Sequence, residues 1–288
     1  MTQATPNAAD VQRIAAFSDG AQGGNPAGVW IGDALPPAAA MQRIAHEIGY
    51  SETAFAAPLG DGWRVRYFSP ESEVPFCGHA TIALGAALAA SHGDGVYALS
   101  LNDAAITVEG RRTIGPDGAL LTSAALQSPP TRSTQAPGTI VERALALFGY
   151  GPGDLDPRIP PALAQGGAPH LVLALRSRAL LAAMRYELGL GRAFMRELGI
   201  VTVVLAWAET PTLFHTRNPF AAGGVYEDPA TGAGTAALAG YLRDLGWPHG
   251  GAIDVVQGED MGMRSRLHAG IGPEQGGSIR VSGTARPL

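Results

Sequence analysis

The sequence predicts an α/β protein made of two similar halves, each with several short strands around one buried helix. Residues 80–90 and 233–242 are almost all small or apolar, and a helix that is apolar on every face is buried on all sides. The segments Pro75-Phe76-Cys77-Gly78 and Pro229-Ala230-Thr231-Gly232 stand directly before these helices. Their recurrence before the same kind of helix predicts an internal duplication.

The elements of the first half follow from apolar periodicity and turn residues. Apolar residues spaced three and four apart predict a helix around residues 36–48, with Gly49 as its C-terminal cap. Residues 63–68 alternate between bulky apolar residues and arginine, as in a half-buried strand. Around these lie, in order, a predicted strand at 11–17, a turn at 23–26, strands at 27–31 and 53–57, the buried helix, and strands at 96–101, 105–109 and 119–123.

The second half repeats the same plan. Residues 128–138 are rich in Pro, Ser and Thr, which predicts a domain boundary. We therefore expect an N-terminal domain over 1–128 and a C-terminal domain over 129–288, with the option that the last strand crosses back to the first domain. The later elements are predicted helices at 139–148, 177–185 and 190–198, the buried helix, and strands at 170–175, 201–208, 212–216, 252–256, 264–268 and 278–281.

Composition excludes several classes of protein. The twenty basic residues are all arginine, so no lysine is present for a Schiff base, a P-loop ammonium or a general base. Net charge is −5 and no basic block is interleaved with aromatics, which argues against a nucleic-acid partner. No apolar run reaches the ~18 residues of a membrane span. Residues 1–10 lack a basic start and an apolar core, so no secretory signal is predicted.

The single cysteine, Cys77, excludes an intrachain disulfide and a cysteine-based zinc cluster, and it is consistent with a reducing cytoplasm. The seven histidines are scattered without metal-binding spacing, so no metal site is predicted. The two glycine-containing helix starts are the remaining candidates for chemistry. A helix start carries free N–H groups and a partial positive charge. Two such starts that face each other could therefore bind one carboxylate ligand. The alternative is that both segments are only tight turns.

The candidate acid and base groups each have two interpretations. Glu52, between a predicted helix end and a strand, is either an exposed loop residue, which the local sequence favours, or a partly desolvated base. His79 is either a neutral catalytic imidazole near a helix start or a structural histidine. Asp228, next to Glu227, is either catalytic or a helix cap. Cys77 is either a thiol activated by the helix start or a small buried filler.

Five sequence blocks resemble the phenazine-biosynthesis PhzF-like family in order and spacing over nearly the whole chain. They are Gly23-Gly24-Asn25-Pro26-Ala27-Gly28, Ser51-Glu52-Thr53-Ala54-Phe55, Arg66-Tyr67-Phe68-Ser69-Pro70, Glu73-Val74-Pro75-Phe76-Cys77-Gly78-His79-Ala80-Thr81 and Glu227-Asp228-Pro229-Ala230-Thr231-Gly232. The resemblance implies a diaminopimelate epimerase-like fold, with two pseudo-symmetric domains, each a curved, mostly antiparallel sheet around a central apolar helix. It also implies an active site in the cleft between the domains and a homodimer.

The resemblance further implies a cofactor-free isomerase that acts on a small carboxylated metabolite, as in dihydro-hydroxyanthranilate chemistry. Glu52 matches the glutamate that moves the proton, and His79 and Asp228 match polar catalytic partners. The residues matched to substrate binding are Asn25, Cys77, Gly78, Thr231, Gly232 and Ala233. Carbon deprotonation needs a base and a stabilised enolate, and this set could supply both.

Two departures from the family pattern keep other functions open. The epimerases of this fold use one cysteine from each domain, whereas this chain has Cys77 and Thr231, which argues against two-thiol racemisation. Ala233 stands where phenazine-type members carry a serine, and the second-domain Arg-x-Phe-x-Pro block reads Arg217-Asn218-Pro219-Phe220-Ala221-Ala222. The alternatives are an epimerase or racemase that uses Cys77 with another base, and a binding protein of this fold without turnover.

Overall fold

The structure is a computed structural model, and it describes residues 7–114, 118 and 120–288. The chain divides into two compact units, a first unit of Met1–Leu126 with Ser282–Leu288 and a second unit of Gln127–Val281. Two predictions fall partly outside the described residues. These are the absence of a secretory signal, which concerned residues 1–10, and the strand predicted at 119–123. No helix within the described ranges is long and apolar enough to cross a membrane.

The helices and strands of the described residues lie close to their predicted positions. The α-helices are α1 Ala38–Ile48, α2 Gly78–His92, α3 Gly138–Phe148, α4 Arg178–Ala182, α5 Leu188–Leu198 and α6 Gly232–Leu245. The strands up to residue 127 are β1 Gln12–Ala16, β2 Asn25–Ile31, β3 Thr53–Leu59, β4 Gly62–Phe68, β5 Glu73–Val74, β6 Gly95–Ser100, β7 Ala105–Ile114 and β8 Leu120–Gln127. The later strands are β9 Arg132–Gln135, β10 Ala162–Gln165, β11 Pro169–Ala174, β12 Thr202–Ala208, β13 Leu213–Pro219, β14 Glu227–Asp228, β15 Ala252–Gln257, β16 Ser265–Ile271 and β17 Ile279–Pro287.

Each unit wraps strands around one apolar helix, so the predicted fold class is confirmed. In the first unit α2 packs against β1, β2, β3 and β7, and in the second unit α6 packs against β9 to β12, β15 and β16. The strand pairs that flank these helices in sequence, β4 with β6 and β13 with β15, are parallel, because a crossover helix joins them. Most other strand pairs are antiparallel.

Small residues bring α2 unusually close to its sheet. Residues His79 to Ala89 of the helix are all buried. A Cβ added to Gly85 would lie 2.5 Å from a Val108 methyl, and one added to Gly110 on β7 would lie 2.3 Å from the Gly85 carbonyl oxygen. Glycine on both sides of this contact therefore permits the backbone approach that buries the helix.

The duplication extends to side-chain contacts. In each unit a two-residue strand pairs with the strand before it and ends shortly before the central helix. Arg66 on β4 forms a bidentate ion pair with Glu73 on β5. Arg217 on β13 forms the same pair with Glu227 on β14. The two arginines occupy equivalent register positions, so both units use one ion pair to hold the segment that leads into the central helix.

Four short strands, β5, β9, β10 and β14, were not predicted. β5 and β14 have two residues each, which is too short for an alternating pattern. β9 lies inside the Pro/Ser/Thr-rich segment and pairs with β10, and composition does not reveal such a pairing. The predicted turn at 23–26 is also shorter, because Asn25 already pairs with Ala16 at the start of β2.

A buried histidine in the second unit predicts acid sensitivity. His170 on β11 is 1% exposed and shares a 2.8 Å hydrogen bond through Nδ1 with Thr202 Oγ1. Its Nε2 is buried without a hydrogen-bond partner among the residues that the structure describes, and burial lowers its pKa to about 4. The unfolded chain, with an ordinary histidine pKa of ~6.5, binds the proton more readily. We expect the free energy of unfolding to fall by about 3 kcal/mol as pH drops from ~6.5 to ~4.

Urea unfolding at several pH values between neutral and acid measures this slope. His170→Gln removes the titrating group and should flatten the decline relative to the original chain. His46→Gln is the matched control, because His46 is exposed and should leave the slope unchanged. Equal slopes for His170→Gln and the original chain would show that another group causes the acid sensitivity.

Candidate active site

Glu52 lies in a short connection between α1 and β3. The helix ends at Gly49, whose φ of +72° suits the left-handed C-cap that favours glycine. The Glu52 carbonyl oxygen accepts a hydrogen bond from the Gly28 N–H on β2, which fixes the backbone beside the sheet. The Glu52 side chain is only 18% exposed. The interpretation of Glu52 as an exposed loop residue is therefore wrong, and its carboxylate is partly desolvated.

Cys77 and His79 lie at the start of α2. Cys77 is the N-cap residue, with extended φ and ψ of −144° and 119°. Its carbonyl oxygen accepts hydrogen bonds from both the N–H and the hydroxyl of Thr81, at 3.0 and 2.7 Å. The Tyr67 hydroxyl lies 2.7 Å from Thr81 Oγ1, and burial raises the pKa of the Tyr67 phenol well above its ordinary value. A neutral buried network thus holds the helix start in place.

The structure brings Glu52, Cys77 and His79 into one cluster. Cys77 Sγ lies 3.3 Å from Glu52 Oε2 and 3.4 Å from His79 Nδ1, and His79 Nε2 lies 3.5 Å from Glu52 Oε2. Ser51 Oγ lies 3.3 Å from His79 Nε2. Cys77 and His79 are buried. Three side chains that can donate or accept a proton thus lie together at the start of α2.

A second polar cluster surrounds the start of α6 in the second unit. The Thr231 hydroxyl donates to Asp228 Oδ2, and Gln257 Nε2 donates to Thr231 Oγ1 at 2.9 Å. Gln257 also donates to the Asp228 carbonyl oxygen at 2.6 Å, and its Oε1 accepts from the Thr231 N–H at 3.2 Å. Gln257 is completely buried. It therefore ties the β14 segment to the first residues before α6.

The other predicted site residues lie at the starts of α2, α6 and β2. Gly78 is the first residue of α2, and a Cβ added there would meet no atom within 4 Å. Gly232 and Ala233 are the first two residues of α6. Asn25 is buried at the start of β2 in the first unit. The structure thus brings Glu52, Cys77 and His79 together in the first unit and Asp228 and Thr231 together in the second.

Two positioning residues escaped the sequence analysis. Ser51 contacts His79, and its position next to Glu52 in a matched block was the available signal. Gln257 lies 26 residues beyond Thr231 at the end of β15. No local pattern distinguishes it from any other polar residue at a strand end, since only the parallel pairing of β13 and β15 brings it to the helix start.

A family model described as phenazine biosynthesis-like protein matches residues 14–288. The chain belongs to this PhzF family. A relative named as an isomerase from Deinococcus radiodurans is 34% identical over 235 residues, which cover 81% of this chain and 76% of that protein. A trans-2,3-dihydro-3-hydroxyanthranilate isomerase from Pseudomonas aeruginosa is 29% identical over 94% of both chains.

The fold agrees with solved structures of the same family. A phenazine biosynthesis protein of the PhzF family from Bacillus anthracis superposes with a TM-score of 0.82 over 96% of both chains, at 21% identity. At this identity the likeness shows the fold alone. The family model and the isomerase relatives make this chain an enzyme of the isomerase and epimerase class.

Proposed function

We propose that this PhzF-family protein moves a proton between carbons of a small carboxylated metabolite of the dihydro-hydroxyanthranilate type, with Glu52 as both acid and base. The observation that carries the proposal is the partly buried Glu52 carboxylate, 3.5 Å from His79 Nε2 and 3.3 Å from Cys77 Sγ at the start of a buried helix. The isomerase relative from Pseudomonas aeruginosa supports the substrate class.

The chemistry needs one group that carries a proton and others that stabilise charge. Glu52 takes a proton from one carbon, which leaves a dienolate conjugated with the substrate carboxylate. The Glu52 carboxyl group exchanges this proton with solvent and then protonates another carbon. His79 donates a hydrogen bond to the developing negative charge. The free N–H groups from Gly78 onward bind the substrate carboxylate. No redox step occurs, because the substrate and product are isomers.

In the second unit, we assign Asp228 as a polar catalytic partner, and Thr231, Gly232 and Ala233 to substrate binding. Asn25 and Cys77 complete the proposed binding set in the first unit. The bonding of Thr231 argues against a two-base racemase. Its hydroxyl donates to Asp228 and accepts from Gln257, and a hydroxyl so engaged is a poor replacement for the second thiol.

Incubation with trans-2,3-dihydro-3-hydroxyanthranilate in heavy water tests the proposal. We expect an isomerised product that carries solvent deuterium at the carbon that receives the proton. Binding measured by calorimetry without any deuterium uptake would instead support a protein that binds the ligand without turnover. A panel of other small unsaturated carboxylates, run in parallel, separates a wrong substrate from an inactive protein.

The open space beside Gly78 gives a second test of where the substrate binds. Since a Cβ there meets nothing within 4 Å, Gly78→Ala should fold normally, and alanine is the better helix former by up to about 1 kcal/mol. The added methyl would project into the space that we assign to the substrate carboxylate. We expect KM to rise about tenfold, equivalent to a loss of ~1.4 kcal/mol in binding.

Gly138→Ala is the matched control, because Gly138 is the first residue of α3 and also faces open space. Urea unfolding and steady-state kinetics are measured on both variants. An unchanged KM in Gly78→Ala would place the carboxylate away from the α2 start.

A further inference from the structure

The Glu52, Cys77 and His79 side chains present three different metal-ligating atoms at one point of the first unit. A carboxylate oxygen, a sulfur and an imidazole nitrogen lie within 4.8 Å of one another. The triangle of Glu52 Oε2, Cys77 Sγ and His79 Nε2 has edges of 3.3, 4.0 and 3.5 Å. The alternative nitrogen, Nδ1, lies 3.4 Å from Sγ. Such short separations bring all three ligands within reach of one ion.

These separations fit tetrahedral zinc. With Zn–S of about 2.3 Å and Zn–N and Zn–O of about 2.0–2.2 Å, the ligand atoms of a tetrahedral site lie roughly 3.4–3.6 Å apart. The three observed edges bracket that range, so shifts of a few tenths of an ångström would close the site. Three protein ligands leave a fourth position open for water, which is the arrangement of catalytic rather than structural zinc sites.

We propose that Glu52, Cys77 and His79 bind one divalent ion of the zinc type, and that the ion inhibits the enzyme by occupying the Glu52 carboxylate. The inhibitory part rests on the proposed function of Glu52, whereas the binding part does not. A sulfur ligand with an imidazole favours zinc-like ions over magnesium or calcium, which prefer oxygen ligands. No metal site was predicted from the sequence, because the prediction used only the spacing of histidines. Cys77 is 25 residues from Glu52, so the three ligands form no local motif.

The surrounding contacts hold the ligands in place before any ion arrives. The Cys77 carbonyl is fixed by Thr81. With His79 Nδ1 as the nitrogen ligand, 3.4 Å from Sγ, Ser51 Oγ bonds the remaining nitrogen, Nε2, at 3.3 Å. A hydrogen bond on the second ring nitrogen orients a metal-bound histidine, and its loss typically costs 10–100-fold in affinity. A site assembled in advance avoids much of the cost of ordering its ligands.

Titration of the chelator-treated full chain with Co²⁺ tests the site directly. Cys77 is the only cysteine, so a thiolate-to-cobalt charge-transfer absorption reports this site alone. We expect the absorption to saturate at one Co²⁺ per chain and to disappear when Zn²⁺ is added. Cys77→Ser should abolish it, and His79→Gln should weaken Co²⁺ binding at least about tenfold. His46→Gln, at an exposed histidine of α1, should match the original chain.

No charge-transfer absorption in the original chain, or equal affinity in His79→Gln, would overturn the site. The inhibitory part is tested by deuterium exchange with one equivalent of Zn²⁺ and again after a chelator removes it. We expect exchange to be lost and then restored, and unchanged exchange with Zn²⁺ bound would overturn inhibition. Absence of exchange in the chelator-treated enzyme would count against the proposed function, and the cobalt titration would still decide the metal site.

Discussion

Glu52→Gln should reduce the rate of deuterium exchange into substrate by roughly 100- to 10,000-fold, the usual contribution of a general acid or base. Glutamine keeps the shape of the side chain and its ability to bond His79, but it cannot accept the carbon-bound proton. The free energy of unfolding should change little, because the neutral amide replaces a partly desolvated charge. Exchange rates by mass spectrometry and urea unfolding on the same sample measure both effects.

The control for this substitution is Glu71→Gln, at an exposed glutamate of the first unit, which should retain the original exchange rate. Cys77→Ser separates the two enzyme hypotheses. If Glu52 carries the proton, the serine variant should keep more exchange activity than Glu52→Gln. The reverse order would assign the proton transfer to the Cys77 thiol and favour the epimerase alternative.

The fold was predictable because its main signal is local. The run of apolar residues in α2 requires burial on all faces, and few arrangements other than a sheet wrapped around the helix provide it. The glycine pair that permits this approach, Gly85 on the helix and Gly110 on β7, was not predicted as a contact. A glycine in the sequence indicates that the backbone is free to adopt many conformations. Which residue it contacts on the sheet depends on the strand register, and the sequence does not show this register.

Glu52, Cys77 and His79 were each named from the sequence, whereas the distances between them could not be predicted from it. The residues around Glu52 and Cys77 were found through matched blocks, but the 3.3 Å contact between them joins a loop to a helix start 25 residues later. Local sequence favoured an exposed Glu52, since polar residues between a helix and a strand usually face water. The packing of α2 against β3 reverses that expectation, because it brings the Cys77 end of the helix beside the carboxylate.

Arg217→Met should lower the free energy of unfolding by about 3–5 kcal/mol, the usual cost of leaving one member of a buried ion pair without its partner. The side chains of Arg217 and Glu227 are 8% and 2% exposed, and their closest N···O distance is 2.5 Å. Arg217 also donates to the carbonyl oxygens of Ala182 and Met184. Glu227→Gln should cost less, because the arginine keeps these carbonyl partners. Urea unfolding of both variants measures the difference.

The ion pair between Arg66 and Glu73 in the first unit is the internal control for the effect of burial on the free energy of unfolding. Arg66 and Glu73 have the same bidentate geometry, but their side chains are 23% and 27% exposed. Arg66→Met should therefore cost no more than about 1 kcal/mol, as exposed pairs usually do. Similar losses in the two units would contradict the assignment of the Arg217 effect to burial. Glu227 adjoins Asp228 on β14. If Arg217→Met both lowers the free energy of unfolding strongly and disturbs the contact between Asp228 and Thr231, this ion pair also sets the geometry of the second cluster.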